Sequence, residues 1–363
     1  MGDTGLLVAI HLGDEFEVVG MSAKPCLVSG QELGMRLARP DLWQQHYLMP
    51  FRGYRRLRNT STIHASITGL DPASRTLFYT HAAGKPGQVA YDVLLIASGV
   101  SNGFWRNRRL QSMEEVMGDI REISGRLARA DTIAVIGGGA SGVNAAANLK
   151  EANPGKQVHL FYSRDLPLSE YPPTVREHVS ARLRQLQVAL HPCHRAVIPD
   201  AARESAFTTD AISWESGQPP FKADGVLWAT GMFSPNNQFL PPDMLDANGF
   251  VKVDRYLRVP GYENVFAVGD IAATDPQRCS ARNGGFQVAA HNIRACCNGR
   301  GESSLKPFNL PKYRWGSILG VLQEGMRVYT PRGGSFLFRT WMVHRVLYPW
   351  LVRKMIYKGV KRE

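Results

Sequence analysis

The chain has few cysteines, and none of them is spaced for redox or metal chemistry. The five are Cys26, Cys193, Cys279, Cys296 and Cys297. No two form a C-x-x-C motif, so the sequence predicts neither a dithiol centre, in which one thiolate attacks and a second resolves, nor an iron–sulfur cluster. An odd count also argues against a disulfide framework and favours a reducing compartment. We interpret the adjacent Cys296 and Cys297 as small apolar fillers.

Long apolar runs, a signal peptide and clustered histidines are also missing. No stretch reaches the roughly 18–20 apolar residues that a membrane-spanning helix needs, and no charged segment followed by an apolar core opens the chain. The histidines that could be ligands are scattered without metal-ligand spacing, so we predict no metal site. They are His11, His64, His81, His178 and His344. We expect a cytoplasmic location, with peripheral association to a membrane left open.

Positive charge is in excess, and much of it lies near the end. The 363 residues include 43 Lys and Arg against 31 Asp and Glu, a net charge of +12. That length suits two domains, since single domains mostly have about 100–200 residues. From Arg332 onward there are eight Lys or Arg and one Glu. Basic patches bind nucleic acid, anionic lipid or phosphorylated cofactors. We predict no nucleic-acid partner, because no reading module accompanies this charge.

One glycine loop is complete and has its full structural context. Residues 131–150 read DTIAVIGGGASGVNAAANLK. A buried strand, TIAVI, is followed directly by Gly137, Gly139 and Gly142 in the spacing G-x-G-x-x-G, then by a small-residue helix and by the strand QVHLF. This strand–loop–helix–strand unit is typical of dinucleotide binding, in which the helix N-terminus faces a pyrophosphate. We therefore predict a nicotinamide-cofactor site here.

The residues after the second strand of this unit bear on the choice between NADH and NADPH. An acidic residue there binds the ribose 2′-hydroxyl of NADH, whereas basic and small polar residues accept the 2′-phosphate of NADPH. The chain has Ser163 and Arg164, with Asp165 one step later. The pattern favours NADPH or tolerance of both cofactors. An exposed arginine without a ligand is the alternative.

Three further strands end in glycine. YDVLLIASG ends at Gly99 and ADGVLWATG at Gly231, each closing a candidate nucleotide-binding unit. The strand in ENVFAVGDIA runs into Gly269 and Asp270, which places a carboxylate at the carboxyl end of a sheet. Ligands bind at that edge in α/β folds, so Asp270 is a candidate for holding a sugar or ribityl hydroxyl.

The opening residues, MGDTGLLVAIHLGDEFEVVGM, look like the second half of another dinucleotide-binding unit. Gly2 and Gly5 have the spacing of the last two glycines of G-x-G-x-x-G. A complete unit also needs a buried strand and a first glycine before them. We expect Met1 to be an internal methionine of a longer protein.

In the order of these motifs the chain resembles the two-dinucleotide-domain flavoprotein reductases, the pyridine nucleotide-disulfide oxidoreductases. Within them it is most similar to the branch of type II NADH:quinone dehydrogenases and the apoptosis-inducing-factor-like ferroptosis suppressor. The resemblance implies an α/β fold with two Rossmann-like domains and mainly parallel central sheets. It also implies an antiparallel meander at the two strands that end in ASG at Gly99 and in ATG at Gly231, which we call the ATG-like strands. The expected division is an FAD domain at 1–104 and 234–303, an NAD(P) domain at 105–233, and a C-terminal segment at 304–363.

The resemblance also implies roles for single residues at the FAD site. Gly2 and Gly5 face the pyrophosphate, Lys24 reaches the adenosine half, and Asp270 binds the ribityl chain. The helix that begins near Gly284 points at the flavin, with Gln287 nearest the ring. One departure concerns the second strand, which ends VGMS, at residues 19–22, where the family has an acidic residue.

For the second cofactor and the acceptor, the resemblance places Gly231 close to the nicotinamide and Arg314 in a segment near the flavin. Contact with a quinone oxygen and a structural surface role stay open for Arg314. Hydride transfer itself needs no side-chain acid or base, since the cofactors carry that chemistry.

The basic tail interleaves aromatic and cationic residues, as interfacial segments do. Pro349 predicts its split into two short helices. Attachment to an anionic membrane suits a lipophilic quinone as acceptor, and packing of the tail on the domain is the alternative. The predicted function is therefore FAD-dependent oxidation of NAD(P)H with a quinone as acceptor. Reduction of a protein such as a ferredoxin, or a flavin-less nucleotide-binding regulatory protein, are the alternatives.

Overall fold

The computed structural model describes residues 1–276, 284–310 and 316–360. Its longer helices are α1 Asp3–Leu12, α2 Leu33–Ala38, α3 Pro40–Tyr47, α4 Met113–Arg129, α5 Ala140–Ala152, α6 Pro173–Gln185, α7 Asp200–Ser205 and α8 Gly285–Cys297. A short helix α9, Thr340–Met342, leads into the C-terminal helix, Val343–Ile356. Short 3₁₀ turns lie at Phe51–Gly53, Arg55–Leu57, Pro242–Met244 and Glu302–Ser304. Over these ranges, no helix has the length and apolar character needed to span a bilayer.

The strands fall into several small sheets. In the first third of the chain they are β1 Val18–Ser22, β2 Cys26–Val28, β3 Leu48–Pro50, β4 Thr60–Asp71, β5 Thr76–His81, β6 Pro86–Ala90, β7 Leu94–Ile96 and β8 Val100–Ser101. The middle of the chain supplies β9 Thr132–Ile136, β10 Gln157–Phe161, β11 Ala189–His191, β12 Phe207–Thr208, β13 Gly225–Trp228, β14 Ser234–Pro235 and β15 Val265–Ala267. The last are β16 Gly316–Leu322, β17 Gly325–Tyr329 and β18 Ser335–Phe338.

The middle of the chain forms one continuous Rossmann-like sheet in the order β11-β10-β9-β13-β12. All neighbours are parallel except β12, which runs antiparallel to β13. The central strand β9 is buried from Ile133 to Ile136, and α5 crosses the sheet with buried alanines. A strand covered on both faces reads as an unbroken apolar run, which is why TIAVI identified it. The predicted strand–loop–helix–strand unit is confirmed.

The first part of the chain builds a second α/β unit from two separate pieces. In one, β1 pairs in parallel with β4, and β4, β5 and β6 continue as an antiparallel meander. In the other, β7 and β15 form a parallel pair. Among the described strands, no ladder joins β1 to β7. Helices α1 and α8 pack together beside these strands. The predicted Rossmann-like α/β class is confirmed, with the meander directly before the first ATG-like strand.

Helix α4 connects the two units and has a strong local start signal. The Ser112 hydroxyl accepts the backbone N–H of Glu115 at 3.1 Å, and the Glu115 carboxylate accepts the backbone N–H of Ser112 at 2.7 Å. This reciprocal capping satisfies two N–H groups that a helix start leaves without partners. The buried face of α4 carries Val116, Ile120 and Leu127. The start of α4 is thus set by its own local sequence.

The C-terminal part consists of an antiparallel sheet, β16-β17-β18, followed by the C-terminal helix. The predicted split at Pro349 is wrong, because the helix continues through the proline with π-type turns. Burial of Val343, Leu347 and Tyr348 anchors the helix before the proline, and Tyr357, directly after the helix, is buried as well. The Tyr348 hydroxyl is 2.6 Å from that of Tyr47 on α3, so the helix is packed onto the first unit.

Candidate functional site

The complete glycine loop has the geometry that close approach of a phosphate requires. Gly137 has φ +126°, and a Cβ there would overlap the carbonyl oxygen of Ala229. A Cβ on Gly142 would overlap the carbonyl oxygen of Gly137, so this glycine lets α5 pack against the loop. Gly139 caps α5, and no described atom lies within 4 Å of a Cβ built on it. Gly137 thus allows the turn, Gly142 allows the helix packing, and Gly139 leaves open space, which matches the pattern of a dinucleotide-binding loop.

A cleft of about 590 Å³ opens in front of this loop. Its lining includes five of the predicted residues, namely Gly137, Gly139, Ser163, Arg164 and Gly231. Gly231 has φ +75° and open space at its Cβ position. Two further arginines, Arg195 and Arg203, line the same cleft. Sequence reasoning missed them because they lie more than 30 residues beyond the glycine loop, outside any motif.

The first glycine pair also stands at a helix start. Gly2 is the N-cap of α1, and no described atom lies within 4 Å of a Cβ built there. A Cβ on Gly5 would lie 2.9 Å from the Cβ of Ala97, so α1 packs closely on the chain after β7. Asp3 accepts the backbone N–H of Gly30 at 3.2 Å and the Tyr357 hydroxyl at 3.0 Å. This helix start therefore has the open approach of the second loop but carries an acidic side chain.

A larger cleft, of about 860 Å³, lies beside α1. Lys24, Gly99, Gly269 and Asp270 line it, as the sequence predicts for one ligand. Asp270 contacts the guanidinium of Arg106, and burial raises the pKa of its carboxyl. Arg106 lies in no motif, so sequence reasoning missed it.

Lys24 lies in this cleft, but its ammonium is engaged with the connection between the two units. It donates to the carbonyl oxygens of Asn107 at 2.7 Å and Arg109 at 2.8 Å. Burial, followed by the charge of Arg109, lowers the pKa of Lys24 to about 8. The predicted role of Lys24 toward an adenosine stays a prediction.

Of the two residues predicted to lie near the reacting atoms, Gln287 is among the described residues and Arg314 is not. Gln287 lies in the first turn of α8, is exposed, and is not part of the cleft lining. Arg314 lies outside the described residues. The roles of both stay predictions.

The two clefts share a wall. Trp105, Ala140 and Ser141 line both of them, and the last two form the first turn of α5. A ligand in the larger cleft and a ligand in the smaller one can therefore meet at the N-terminal end of α5. This is the arrangement that direct transfer between two bound cofactors requires, since the reacting atoms must approach to about 3–3.5 Å.

The larger cleft continues beneath the C-terminal helix into what we call the apolar chamber. Its lining comes from α4, the C-terminal sheet and the C-terminal helix: Val116, Ile120, Val328, Phe338, Leu347 and Val352. Polar side chains are few along this stretch, and they include Glu32, Tyr47 and Tyr348. A mostly apolar chamber with a few polar groups is typical of a site for a hydrophobic small molecule.

Metal and thiol chemistry find no site in the described ranges. No group of three or more His, Cys, Asp or Glu residues there could hold a metal ion. Cys26, Cys193, Cys296 and Cys297 are free thiols, and Cys279 lies outside the described residues. Burial raises the pKa of Cys26 to about 12, which keeps it an unreactive thiol although it lines the larger cleft.

Comparison with known proteins agrees with the two-cleft architecture. The sequence profile of the family described as "Pyridine nucleotide-disulphide oxidoreductase" matches residues 12–293. The chain is 30% identical over 217 residues to Oxidoreductase ptaL of Pestalotiopsis fici, covering 57% of this chain and 55% of that protein. It is 28% identical over 242 residues to Ferroptosis suppressor protein 1 of Taeniopygia guttata, covering 66% and 63%. The chain thus spans less than two thirds of the length of these relatives.

Among solved structures, the chain is similar to NDH2 from Plasmodium falciparum in complex with NADH. The TM-score is 0.59 at 14% identity, with 75% of this chain and 63% of that chain covered. At this identity, the likeness establishes the fold alone.

Proposed function

Because the chain belongs to the pyridine nucleotide-disulphide oxidoreductase family, with FAD and NAD(P)H as its cofactors, we propose that it oxidises NAD(P)H and reduces a quinone. The membership confirms the resemblance carried by the motifs. Bound FAD supplies the two-electron relay between the two substrates. We propose that residues 1–104 and 234–303 form the FAD domain and residues 105–233 the NAD(P) domain. The C-terminal segment, 304–363, then contributes to the binding site of the electron acceptor.

The residues of the larger cleft fit FAD. Gly2 and Gly5 are not in the cleft lining, but their neighbours Asp3 and Thr4 are, so the open helix start lies beside the cleft and supports the approach of a pyrophosphate. Gly99 lines the cleft with open space at its Cβ position. Asp270 is placed to accept a hydrogen bond from a ribityl hydroxyl, with Arg106 holding its carboxylate in position. The Asp3 carboxylate near the helix start is unfavourable toward a phosphate, and its bonds to Gly30 and Tyr357 hold it in place.

The residues of the smaller cleft fit NAD(P)H. The first turn of α5 offers free backbone N–H groups and the positive end of the helix dipole to a pyrophosphate. Ser163 and Arg164 are exposed at the rim, and Arg195 and Arg203 add positive charge. Arg195 is ion-paired with Glu215, which lines the same cleft, and Arg203 is ion-paired with Asp200. The Arg164 guanidinium is therefore the group that favours a 2′-phosphate over a 2′-hydroxyl. We therefore propose NADPH as the preferred donor.

The apolar chamber is the observation that carries the choice of acceptor. It is continuous with the FAD cleft and is lined by aliphatic and aromatic side chains. A quinone ring with an isoprenoid or alkyl tail matches this lining, whereas a peroxide or a disulfide would gain little from it. The free cysteines leave no dithiol pair in the described ranges to serve a disulfide substrate.

A visible spectrum of the purified chain, loaded with FAD, tests this proposal. We expect flavin bands that bleach on addition of NADPH and recover on addition of a short-chain ubiquinone. The 363-residue chain and a version extended upstream in its reading frame should be measured side by side. Bleaching without recovery by any quinone would overturn the acceptor. Failure of both proteins to take up FAD, with NADPH binding retained, would favour a nucleotide-binding regulatory protein instead.

A protein acceptor is the second candidate, and the positive charge is the observation that favours it. The net charge is +12, and Arg332, Arg339 and Arg345 are exposed in the C-terminal part. An acidic electron carrier such as a ferredoxin would be attracted to such a surface. Turnover with a ferredoxin that falls steeply with added salt, together with no turnover with quinone, would support this candidate over the first.

We further propose that the C-terminal helix rests on an anionic membrane surface. Its outward side exposes Trp341, Val346, Trp350, Leu351 and Met355. Arg345, Lys354 and Lys358 are exposed in the same segment. Aromatic residues among cations are the composition of interfacial helices, and each cation near an anionic bilayer contributes about 1 kcal/mol.

Vesicle co-sedimentation tests the membrane contact. We expect binding to phosphatidylcholine vesicles that contain phosphatidylserine and little binding to phosphatidylcholine alone. The double variant Trp341→Ser with Trp350→Ser should lose about tenfold or more in affinity, since both indoles then leave the interface. Phe78→Ser removes an exposed aromatic ring on β5, remote from the segment, and should bind as the parent does. Equal loss in both variants would contradict the proposal.

A further inference from the structure

The apolar chamber contains one carboxyl group that neither the fold nor the cofactors require. Glu32 lines the chamber and stands directly before α2. Its backbone is left-handed, with φ 52° and ψ 48°. A side chain other than glycine costs energy in this conformation, and such positions cluster at functional sites. The Glu32 carboxylate meets the C-terminal sheet, a part of the chain that lies 289 positions away.

The C-terminal sheet is shaped to receive this carboxylate. The Glu32 Oε2 atom accepts the backbone N–H of Val321 at 3.0 Å. Next to it, Gly320 has φ +77°, and a Cβ there would overlap Glu32 Oε2. The pairing of β16 with β17 shifts its register between Ser317 and Val321, so the bulge and the glycine open space for the carboxylate.

The groups around Glu32 leave its charge largely uncompensated. Helix α5 contributes the neutral amides of Asn144 and Asn148, whose nitrogens also approach Gly320. The C-terminal helix contributes Tyr348, whose phenol pKa is raised first by burial and then by Glu32.

Two more titratable groups line the same chamber. Tyr47 of α3 is hydrogen-bonded to Tyr348. Arg36, further along α2, donates to the Trp105 carbonyl at 2.8 Å, and burial followed by Arg106 lowers its pKa to about 9. None of these groups forms an ion pair with Glu32 in the described ranges.

The Glu32 carboxyl group is largely removed from water but can be reached from the apolar chamber. Part of its surface remains accessible, and it faces the chamber that we assign to the acceptor. The surrounding protein disfavours its charged form, so burial raises the pKa of Glu32 from 4.5 to about 7. A carboxyl group in this range is protonated part of the time at neutral pH and can both give and regain a proton.

Quinone reduction by NAD(P)H needs one such proton. The balance is NAD(P)H + H⁺ + quinone → NAD(P)⁺ + hydroquinone. The hydride brings two electrons and one proton, so a second proton must reach a quinone oxygen. Building on the proposed function, we propose that Glu32 is the proton donor to the quinone. The carboxyl O–H bond breaks, an O–H bond forms on the quinone oxygen, and the carboxylate then takes a proton from water.

The test compares Glu32→Gln with Glu151→Gln. Glutamine keeps the size of the side chain and an oxygen that can accept the Val321 N–H, but it cannot donate an acidic proton. Glu151 is a matched control, because it is buried and accepts the backbone N–H of Gln323 at 2.9 Å, in the turn between β16 and β17. It is paired with Arg39 and does not line the larger cleft.

The first readout is infrared titration of the protonated carboxyl band, which needs no turnover. The parent and Glu151→Gln should each show a carboxyl that titrates near pH 7, and Glu32→Gln should lack it. Persistence of this titration in Glu32→Gln would overturn the assignment of Glu32 as the titrating group.

The second readout is turnover with two acceptors. In the parent, quinone reduction should fall as pH rises through 7, because Glu32 loses its proton. Glu32→Gln should reduce quinone about 100-fold more slowly with a flat pH profile, the size expected for loss of a general acid. Its loss with ferricyanide, which takes electrons without protons, should be at least tenfold smaller.

The outcomes separate the two proposals. If the parent reduces ferricyanide but no quinone, the proposed function fails, and Glu32 is not a quinone proton donor. If the parent reduces quinone and Glu32→Gln keeps its rate and pH profile, the proposed function stands and the role of Glu32 is overturned. If quinone and ferricyanide rates fall equally, Glu32 has a structural role instead.

Discussion

The two proposed nucleotide-binding units share a glycine motif, but the last glycine of the motif is packed more closely in one unit than in the other. In the unit proposed for NAD(P)H, residues 105–233, which we call the nicotinamide unit, the glycine loop follows the central strand of a continuous five-stranded sheet. A Cβ on its last glycine, Gly142, would overlap the backbone carbonyl oxygen of Gly137. In the unit proposed for FAD, residues 1–104 and 234–303, which we call the flavin unit, the strands form separate pieces. A Cβ on the corresponding glycine, Gly5, would meet only the Cβ of Ala97 within 4 Å. In the first unit the glycine loop and the strands and helix that flank it lie within about thirty consecutive residues. The second is assembled from distant segments, and its geometry therefore depends on tertiary contacts.

The largest expected effect comes from adding a methyl group at the last glycine of each loop. Gly142→Ala forces a Cβ onto the Gly137 carbonyl oxygen, and rigid backbone on both sides prevents relaxation. We expect a loss of about 3 kcal/mol or more in unfolding free energy, or roughly 10 °C in Tm. Thermal unfolding followed by circular dichroism measures it.

Gly5→Ala is the matched variant in the flavin unit. Its Cβ would lie 2.9 Å from the Ala97 Cβ, a milder overlap than the one at Gly142, and the backbone that carries Ala97 must shift to relieve it. We expect less than half the loss of Gly142→Ala, and Gly139→Ala, with open space at its Cβ, should unfold as the parent does. Equal losses at Gly5 and Gly142 would break the comparison.

The second prediction concerns Asp270, the carboxylate of the flavin unit. Asp270→Asn removes the charge that Arg106 contacts and weakens the acceptor for a ribityl hydroxyl. Hydrogen bonds to charged groups contribute about 1.5–3 kcal/mol, so FAD affinity should fall at least tenfold. Flavin content after gel filtration measures it. NADPH affinity, measured by fluorescence, should stay unchanged, and a parallel loss would show that the two sites are not independent.

The third prediction separates the units by pH. Burial lowers the pKa of His191, in the nicotinamide unit, from 6.5 to about 4, so the folded state disfavours its charged form. Its contribution to stability is therefore lost as pH falls from 6.5 toward 4. For Glu32 the sign is reversed, since its folded pKa is raised, and stability is lost as pH rises from 4.5 to about 7.

Each group is partly accessible, so we expect about 1 kcal/mol from each over its window. His191→Phe, which preserves stacking on Phe161, should flatten the acid side of the stability profile. Glu32→Gln should raise stability above pH 7. Chemical denaturation at a series of pH values measures both, and identical pH profiles for parent and variants would refute the assignments.

The smallest expected effect concerns the choice of donor. Arg164→Ala removes a guanidinium from the rim of the smaller cleft, and KM for NADPH should rise about fivefold, as for the loss of one exposed ionic contact. KM for NADH should change little. Arg121→Ala, which removes an exposed arginine of α4 paired with Asp41, is the control. A similar rise for both cofactors would contradict a 2′-phosphate contact.

The sequence predicts the nicotinamide unit better than the flavin unit for the same physical reason. Gly137, Gly139, Ser163 and Arg164 are near in sequence, so local pattern is enough to bring them to one cleft. Asp270 could be predicted because a strand followed by Gly-Asp marks a sheet edge.

Arg106 and Glu32 could not be predicted from pattern. Arg106 contacts a carboxylate 164 positions away, and Glu32 meets a strand 289 positions away. Neither stands in a motif, and their importance comes from burial and from the space that other segments leave. The continuation of the C-terminal helix through Pro349 has the same origin, since buried packing overrides the local preference of proline.

The hydrogen bond from Tyr357 to Asp3 has a consequence for how the protein is made. It joins positions 354 apart at the start of α1, and the C-terminal helix completes the wall of the larger cleft. During synthesis the nicotinamide unit can fold more than a hundred residues before that wall exists. The wall of the larger cleft is complete only once the residues up to Ile356 have been made. A chain that stops before Val343 would lack this wall, and we expect it to bind FAD more weakly than the parent.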